Sequence, residues 1–154
     1  MVTETNAAVA EPTADREIVS IHIFNTPRER VFQGWSDADQ IVQWWGPDGF
    51  TNTFQEFNFT PGGEWKFVMH GPDGKDYDND IVFEEIVAPS RVVFQHVSPP
   101  RFQVTATFDD LGAHTKVTFR MLFETAKVCE AVKTYAVDAN EQNFRRLEAL
   151  IAQD

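Results

Sequence analysis

Residues 102–123, which read FQVTATFDDLGAHTKVTFRMLF, decide the fold of this chain. Apolar side chains occupy every second position over 102–108 and again over 117–123, and the turn residues Asp109-Asp110-Leu111-Gly112 separate the two runs. A period of two indicates β-strands that bury one face, and two such strands joined by a short turn form a hairpin. The stretch therefore predicts an antiparallel sheet with one apolar face and one face in water.

The same period extends back from this hairpin to Phe50. Clusters of proline, glycine and aspartate, such as Pro61-Gly62-Gly63, divide the region into short segments, as turn residues do between strands. An apolar run over 18–24 predicts a first strand near the start of the chain. The strands predicted after it are 50–59, 64–70, 77–87, 91–97, 101–109 and 114–123.

Two short helices are predicted directly after the first strand. Thr26 is the predicted N-cap of the first helix, with Pro27 at its first helical position. Ser36 or Asp37 is predicted to cap the second helix, which ends at Gly46-Pro47 because these residues do not continue a helix.

One long helix is predicted at the end of the chain. Apolar residues recur at helical spacing over 127–152, with charges on the other side. Such a helix would be about 40 Å long, enough to cross a whole sheet. We therefore predict an α+β domain in which a curved antiparallel sheet of about seven strands carries this helix on its concave face.

Length, composition and charge limit the class of protein. The chain has 154 residues, of which 42% are hydrophobic and 13% aromatic, so it can bury the core of one domain. Residues 1–16 are polar and unpatterned and are predicted to be a disordered lead-in, and 17–152 to form the single domain. A net charge of −11 disfavours binding to nucleic acid and to anionic membrane surfaces.

No cofactor or metal is predicted. The single cysteine, Cys129, falls in the long helix and is predicted to be a small buried apolar residue. No two of the four histidines stand at a local metal-binding spacing. The acidic segment 76–80 lacks the later glycine and glutamate of a calcium loop and is predicted to face water. Neither a membrane span nor a secretory signal is recognisable, so a cytoplasmic location is expected.

Two polar residues in otherwise apolar strands are the candidates for chemistry. His96 shares a strand face with Phe94, and Glu85 shares one with Ile81, Phe83 and Val87. An inward carboxylate would have a raised pKa. We weigh two interpretations: a hydrogen-bonded core histidine with a glutamate at the rim, or two polar groups of a ligand pocket.

Several motifs carry a family resemblance. They are TPRERVFQGWSD over 26–37, WWGP over 44–47 and PGGEWKFVM over 61–69, continued by GPDGK over 71–75 and EIVAPSRVVF over 85–94. Over about residues 17–152 the chain resembles the Activator-of-Hsp90-ATPase-homologue-1-like family, within the START/Bet v 1-like superfamily. The resemblance implies a helix-grip fold with a hydrophobic cavity between the long helix and the concave sheet.

The resemblance also implies a function and a set of cavity residues. We expect binding of a small hydrophobic or aromatic molecule, with no committed chemistry. The side chains expected to line the cavity are Trp65, Phe67, Met69, Phe83, Glu85, Phe94, His96, Phe102, Val104, Phe119, Met121 and Tyr135. Trp44-Trp45 is assigned to packing, and Gly62-Gly63 to a turn that needs positive φ.

The chain departs from the family at four places. The family often has an acidic residue at Asn58, an arginine at Thr60, a glycine at Asp80 and a Gly-Trp pair at Asn143-Phe144. These positions touch the expected cavity rim or the helix face, so they bear on the ligand more than on the fold.

Two other functions stay open. The family name implies a co-chaperone that interacts with an Hsp90-type ATPase, with a role in the stress response. Relatives in the superfamily imply a cyclase or hydrolase acting on a bulky apolar substrate, for which Glu85 and His96 are the only acid–base pair we would name. A homodimer is plausible because a small sheet domain has a free edge.

Overall fold

The computed structural model describes residues 14–154 and confirms the predicted α+β architecture. The predicted lead-in lies outside the described residues over 1–13, and its last residues, Ala14–Arg16, form a short 3-10 helix. The remaining elements are strands β1 (Glu17–Phe24), β2 (Thr51–Phe57), β3 (Glu64–His70), β4 (Asp76–Val87), β5 (Arg91–His96), β6 (Phe102–Asp110) and β7 (Thr115–Phe123), and helices α1 (Arg28–Ser36), α2 (Ala38–Trp44) and α3 (Ala126–Ile151).

All seven strands form one antiparallel sheet in the order β1-β7-β6-β5-β4-β3-β2. Strands β2 to β7 are a meander of neighbours, and β1 joins the sheet beside β7 with Ser20 opposite Phe119. The two short helices connect β1 to β2, the strands at the two edges of the sheet. Helix α3 lies across the sheet and makes its main sheet contacts with β1 and β7.

The helix caps follow the prediction in α2 and differ from it in α1. Asp37 caps α2 and accepts a hydrogen bond from the Asp39 N–H. The prediction that Thr26 caps α1 is wrong. Pro27 holds the N-cap position, because its backbone oxygen accepts the first hydrogen bonds of the helix, from the Arg30 and Val31 N–H groups. It is extended, and no side chain caps the helix there. Thr26 instead accepts a hydrogen bond from the Thr115 hydroxyl at its backbone oxygen.

Helix α3 presents one continuous buried stripe to the sheet. Its N-cap Thr125 accepts from the Val128 N–H, as expected of a threonine at this position. Cys129 is 3% exposed, as predicted for a small apolar residue. The buried side chains along the helix are Cys129, Val132, Ala136, Asn140, Phe144, Leu147 and Ile151. Within residues 14–154, none of the helices is both long and apolar enough to cross a lipid bilayer.

The two glycines of the turn between β2 and β3 serve different purposes. Gly62 has a φ of +83°, as predicted for this turn. Gly63 does not need positive φ; a Cβ there would lie 2.1 Å from the backbone oxygen of Asn58. The turn is also bonded to β4, since the Gly62 N–H donates to Phe83 O and the Phe83 N–H donates to Gly63 O. The turn therefore fixes the position of β4.

Candidate ligand-binding cavity

A cavity of about 710 Å³ lies between the concave face of the sheet and α3. That volume is within the range of small-molecule sites, about 300–1,000 Å³. Strands β3 to β7, the segment 45–50 and the sheet-facing side of α3 all contribute to its wall. Nine of the twelve residues expected to line the cavity do so: Phe67, Met69, Phe94, His96, Phe102, Val104, Phe119, Met121 and Tyr135.

Trp65 and Phe83 are buried behind the cavity wall instead of lining it. Trp65 is 0% exposed and Phe83 is 2% exposed, and their rings lie parallel with centroids 6.0 Å apart. The Trp65 ring also packs at 4.9 Å from Trp45. The expectation that they line the cavity is therefore not met, because side chains that do line it pack on them, Trp45 on Trp65 and Phe94 on Phe83.

Glu85 faces away from the cavity, which corrects the expectation that it points inward. Its side chain is half exposed, and Oε1 lies 2.6 Å from Nε of Arg91. The reason is a β-bulge, since the β4–β5 register shifts between Phe83 and Glu85. One extra residue reverses the face of every residue beyond it. The proposed Glu85–His96 acid–base pair is therefore not formed.

His96 lies at the cavity wall as an internally bonded residue. It is 8% exposed and stacks on Phe102 with ring centroids 4.6 Å apart. Its Nδ1 lies 2.8 Å from Ser98 O and 3.0 Å from Pro100 O, and its Nε2 lies 2.8 Å from Oδ1 of Asn79. Both ring nitrogens therefore lie within hydrogen-bond distance of oxygen atoms of the protein, as in the interpretation of a hydrogen-bonded core histidine, and a neutral ring donates on one of these two sides only.

Burial controls the protonation of His96. Removal of the ring from water is the largest effect, so the pKa of His96 lies below its ordinary value. The backbone oxygens of Pro100 and Ser98 and the nearby carboxylate of Asp80 act in the opposite direction and are outweighed. The neutral imidazole is therefore the form that the fold prefers near neutral pH.

Several cavity residues were not among those expected. Trp45 lines the cavity, whereas its neighbour Trp44 is 1% exposed and donates from Nε1 to Gly34 O, the packing role assigned to both. The helical period predicted the inward face of α3, and Ala136 and Ala139 on that face leave the open space. Asn140 lies on the same face, where a helical pattern of apolar residues alone does not reveal it.

Side chains of α3 hold the segment 45–50 against the cavity. The Arg146 guanidinium donates to the backbone oxygens of Gly46, Pro47, Gln43 and Phe50 at 2.6, 2.9, 2.9 and 3.1 Å. Burial lowers the pKa of Arg146, which still carries its charge at physiological pH. Asn143 Oδ1 accepts from the Gly46 N–H at 2.7 Å. Asn143, where the family often has glycine, therefore builds part of this wall.

The charged residues that line the cavity are all acidic. Asp76 and Asp78, at the start of β4, belong to its rim, and within residues 14–154 no lysine or arginine lines it. Both side chains belong to the segment 76–80, which was expected to face water and does so as strand rather than as a turn. Among the described residues, no three His, Cys, Asp or Glu side chains group where they could hold a metal ion.

Asn140 is the most buried polar residue of the wall, at 6% exposed. Its Nδ2 donates to Ser20 Oγ at 3.1 Å and to Met121 Sδ at 3.5 Å. A thioether sulfur only accepts, which fixes the amide with its nitrogen on that side. Within residues 14–154 its Oδ1 has no hydrogen-bond partner, so an acceptor is presented inside the cavity.

The fold and cavity place the chain in a family. The family model described as Activator of Hsp90 ATPase homolog 1-like protein matches residues 25–152, so the chain belongs to this family of helix-grip proteins. No curated protein matches the sequence of this chain.

Solved structures with the same fold include three bacterial proteins of low sequence identity. A protein from Arthrobacter aurescens is 22% identical, with a TM-score of 0.84 over 94% of this chain and 90% of its own. A protein from Nitrosomonas europaea is 18% identical, with a TM-score of 0.84 over 91% of this chain and 96% of its own. An AHSA1-like protein from Aeromonas hydrophila is 21% identical, with a TM-score of 0.73 over 86% of this chain and 92% of its own. These likenesses show the fold.

Proposed function

We propose that this protein binds one small, largely apolar molecule in the cavity between the sheet and α3. The observation that carries the proposal is the cavity itself, about 710 Å³ of space walled mainly by aromatic and aliphatic side chains. Protein interiors are normally packed without voids larger than a water molecule. Space of this size in the middle of a domain is the usual form of a ligand site.

The wall has the composition that such a ligand needs. Aromatic rings from β3, β5 and β7, such as Phe67, Phe94 and Phe119, offer flat apolar surface. The polar lining residues are asparagines, His96, two tyrosines, and Asp76 and Asp78 at the rim. His96 already has oxygen atoms of the protein within hydrogen-bond distance. Glu85, the expected acid–base partner of His96, faces away from the cavity, so we propose binding and no bond-making step.

Native mass spectrometry of the freshly purified protein, beside a denatured sample, tests the proposal directly. A small molecule that accompanies the folded protein and is lost on denaturation supports it and reports the ligand's mass. When no ligand is retained, titration with the fluorescent apolar probe 1-aminoanthracene measures the affinity of the cavity for an apolar molecule.

A filled cavity provides the matched control. Ala136→Phe places a ring in the cavity, and Ala131→Phe places the same ring on the exposed side of the same helix. We expect Ala136→Phe to lower probe affinity by about tenfold or more, because the ring occupies the ligand's space, and Ala131→Phe to leave it unchanged. Equal probe binding by both folded variants would contradict the proposal.

Interaction with an Hsp90-type ATPase stays a prediction from the family description. Addition of the protein to a bacterial Hsp90 ATPase assay tests it, with Arg146→Met as a variant that disturbs the cavity segment. Stimulation of ATP hydrolysis that exceeds a bovine serum albumin control would support the co-chaperone function. Homodimerisation is likewise a prediction, which light scattering during gel filtration measures.

A further inference from the structure

A second, much smaller void lies beside the cavity. It has a volume of about 10 Å³, close to the space that a single water-sized group needs. Four residues line both spaces: Trp45, Phe119, Asn140 and Asn143. The small void is closed on its other side by Trp35, Trp44 and Phe144.

Trp35, which lines this void, carries an unsatisfied donor. Trp35 is 2% exposed, and its indole Nε1–H has no hydrogen-bond partner in residues 14–154. A buried N–H without an acceptor is costly, and an unsatisfied group in a folded protein needs an explanation. Trp44, which lines the same void, does not share this state, because its Nε1–H donates to Gly34 O.

An unsatisfied acceptor lines the same void. Oδ1 of Asn140 has no partner among the described residues, while its Nδ2 is held by Ser20 and Met121. Trp35 and Asn140 therefore line the same small space, and both residues are more than nine-tenths buried. Trp35 carries a donor and Asn140 an acceptor that have no partner within residues 14–154. These two residues come from α1 and α3, so the fold assembles the pair.

We propose that the small void is a subsite for a hydroxyl group at the buried end of the ligand. The hydroxyl oxygen accepts a hydrogen bond from Trp35 Nε1–H and donates its proton to Asn140 Oδ1. The ligand is then an apolar, preferably aromatic, alcohol or phenol. This inference rests on the proposed binding function and narrows it to a chemical class.

Other polar groups fit the subsite less well. A carboxylate needs room for two oxygens, and within residues 14–154 no cationic side chain lines either space. An ammonium group has only donors, so it would leave the Trp35 N–H unsatisfied. A hydroxyl has one proton to donate and lone pairs to accept, which matches the pair offered.

A pair of ligands of nearly equal shape tests the subsite. In para-phenylphenol a hydroxyl ends an apolar rod, and in para-methylbiphenyl a methyl group takes its place. We expect the phenol to bind about tenfold more tightly, because only the phenol satisfies both buried groups. Calorimetric titration measures both affinities on the full-length protein.

Two tryptophan variants locate the effect. Trp35→Phe keeps a buried aromatic ring and removes the N–H, so the preference for the phenol should fall to about twofold or less. Trp65→Phe is the matched control, because its Nε1–H is equally buried and unpartnered but lines neither space. It should keep the full preference.

Proton–nitrogen correlation spectra of the unmodified protein give a second measurement that needs no variant. The indole N–H signal of Trp35 should move downfield on binding the phenol and much less on binding the methyl analogue. The indole signal of Trp65 should move equally little with both.

The outcomes separate the two proposals. If both ligands bind with equal affinity and the Trp35 signal responds alike to both, the subsite is filled by water and the hydroxyl inference is wrong, while the apolar cavity stands. If neither ligand binds and 1-aminoanthracene does not bind either, the proposed function fails and the subsite fails with it.

Discussion

Single residues in this fold carry constraints that adjacent positions do not share. Gly62 and Gly63 follow each other in one turn, yet a methyl group would meet open space at Gly62 and the backbone of Asn58 at Gly63. The two are therefore expected to respond differently to the same substitution.

The first prediction concerns these two glycines. Gly62→Ala should destabilise the protein by about 1 kcal/mol, the cost of positive φ in a residue with a side chain. Gly63→Ala should cost more than about 2 kcal/mol, because the methyl group collides with a backbone oxygen that cannot rotate away. Urea unfolding followed by tryptophan fluorescence measures both. Equal losses would show that the contact at Gly63 relaxes freely.

The second prediction concerns His96. Its folded-state pKa lies below the ordinary value, so on acidification the unfolded chain takes up the proton first. The resulting stability is fully present above the unfolded pKa, about 6.5, and is lost as the pH falls through the folded pKa. We therefore expect the free energy of unfolding to decline from about pH 7.5 to about pH 5.5, and His96→Gln to decline less over this interval.

A surface histidine serves as the control for His96. His114, in the exposed turn between β6 and β7, can be replaced by glutamine without touching the cavity. His114→Gln should follow the unmodified protein over the whole interval. A decline of His96→Gln as steep as that of the unmodified protein would contradict the assignment.

At the scale of elements, α3 does more than cover the sheet. Its residues Gln142, Asn143 and Arg146 bond the segment 45–50, which forms part of the cavity wall. The segment has few regular backbone hydrogen bonds of its own, so helix side chains determine where it lies.

The third prediction compares two adjacent arginines of α3. Arg146→Met removes four hydrogen bonds to carbonyl oxygens and should cost about 2–3 kcal/mol. Arg145→Met removes only an exposed ion pair to Asp48, 3.6 Å long, and should cost less than about 1 kcal/mol. Chemical denaturation of both variants measures the difference. A loss at Arg145 as large as that at Arg146 would show that charge, not the carbonyl bonds, is responsible.

The elements were largely predictable from the sequence, and the exceptions have local causes. The period of two and the helical period depend on side chains alone, and within residues 14–154 they located every strand and α-helix to within about two residues, but not the 3-10 helix Ala14–Arg16. The face of Glu85 was not predictable, because a bulge leaves no mark in a pattern of alternation. The N-cap at Pro27 shows the same limit, since Thr26 and Pro27 both fit a helix start.

The cavity was predictable in part for similar reasons. Alternation assigned Val104 and Phe119 to the inner face of the sheet, where they line the space, but it left the inward face of 91–97 open because both of its faces are largely apolar. Whether an inner-face residue borders space or another side chain depends on the curvature of the sheet. Trp65 was expected to line the cavity and Trp45 to serve in packing. The structure shows the reverse, because Trp45 at the end of α2 covers Trp65.

For the molecule as a whole, charge and shape act together on the ligand. The net charge is −11, and the rim of the cavity carries Asp76 and Asp78. Anions are therefore repelled at a distance and find no counter-charge in the cavity wall of residues 14–154.

The fourth prediction follows from this charge distribution. Biphenyl carboxylate should bind at least about tenfold more weakly than para-phenylphenol. Raising the salt concentration from about 0.02 M to about 0.5 M should reduce this difference in affinity, because salt screens the repulsion. Asp78→Asn should narrow it as well, whereas Asp73→Asn, in the exposed β3–β4 turn, serves as the control. If neither added salt nor Asp78→Asn changes the difference in affinity, the preference for the phenol over the carboxylate comes from shape alone.

The hydrogen bonds between α3 and the segment 45–50 also make the rate at which the cavity opens measurable by amide hydrogen exchange. The amide protons of Gly46 and Asp48 are covered by side chains of Asn143 and Gln142, at 2.7 and 2.9 Å, rather than by a neighbouring strand. Each exchanges with deuterium only when the helix releases the segment. Their exchange rates, compared with those of β6 and β7, therefore report how often the way into the interior opens while the sheet stays intact.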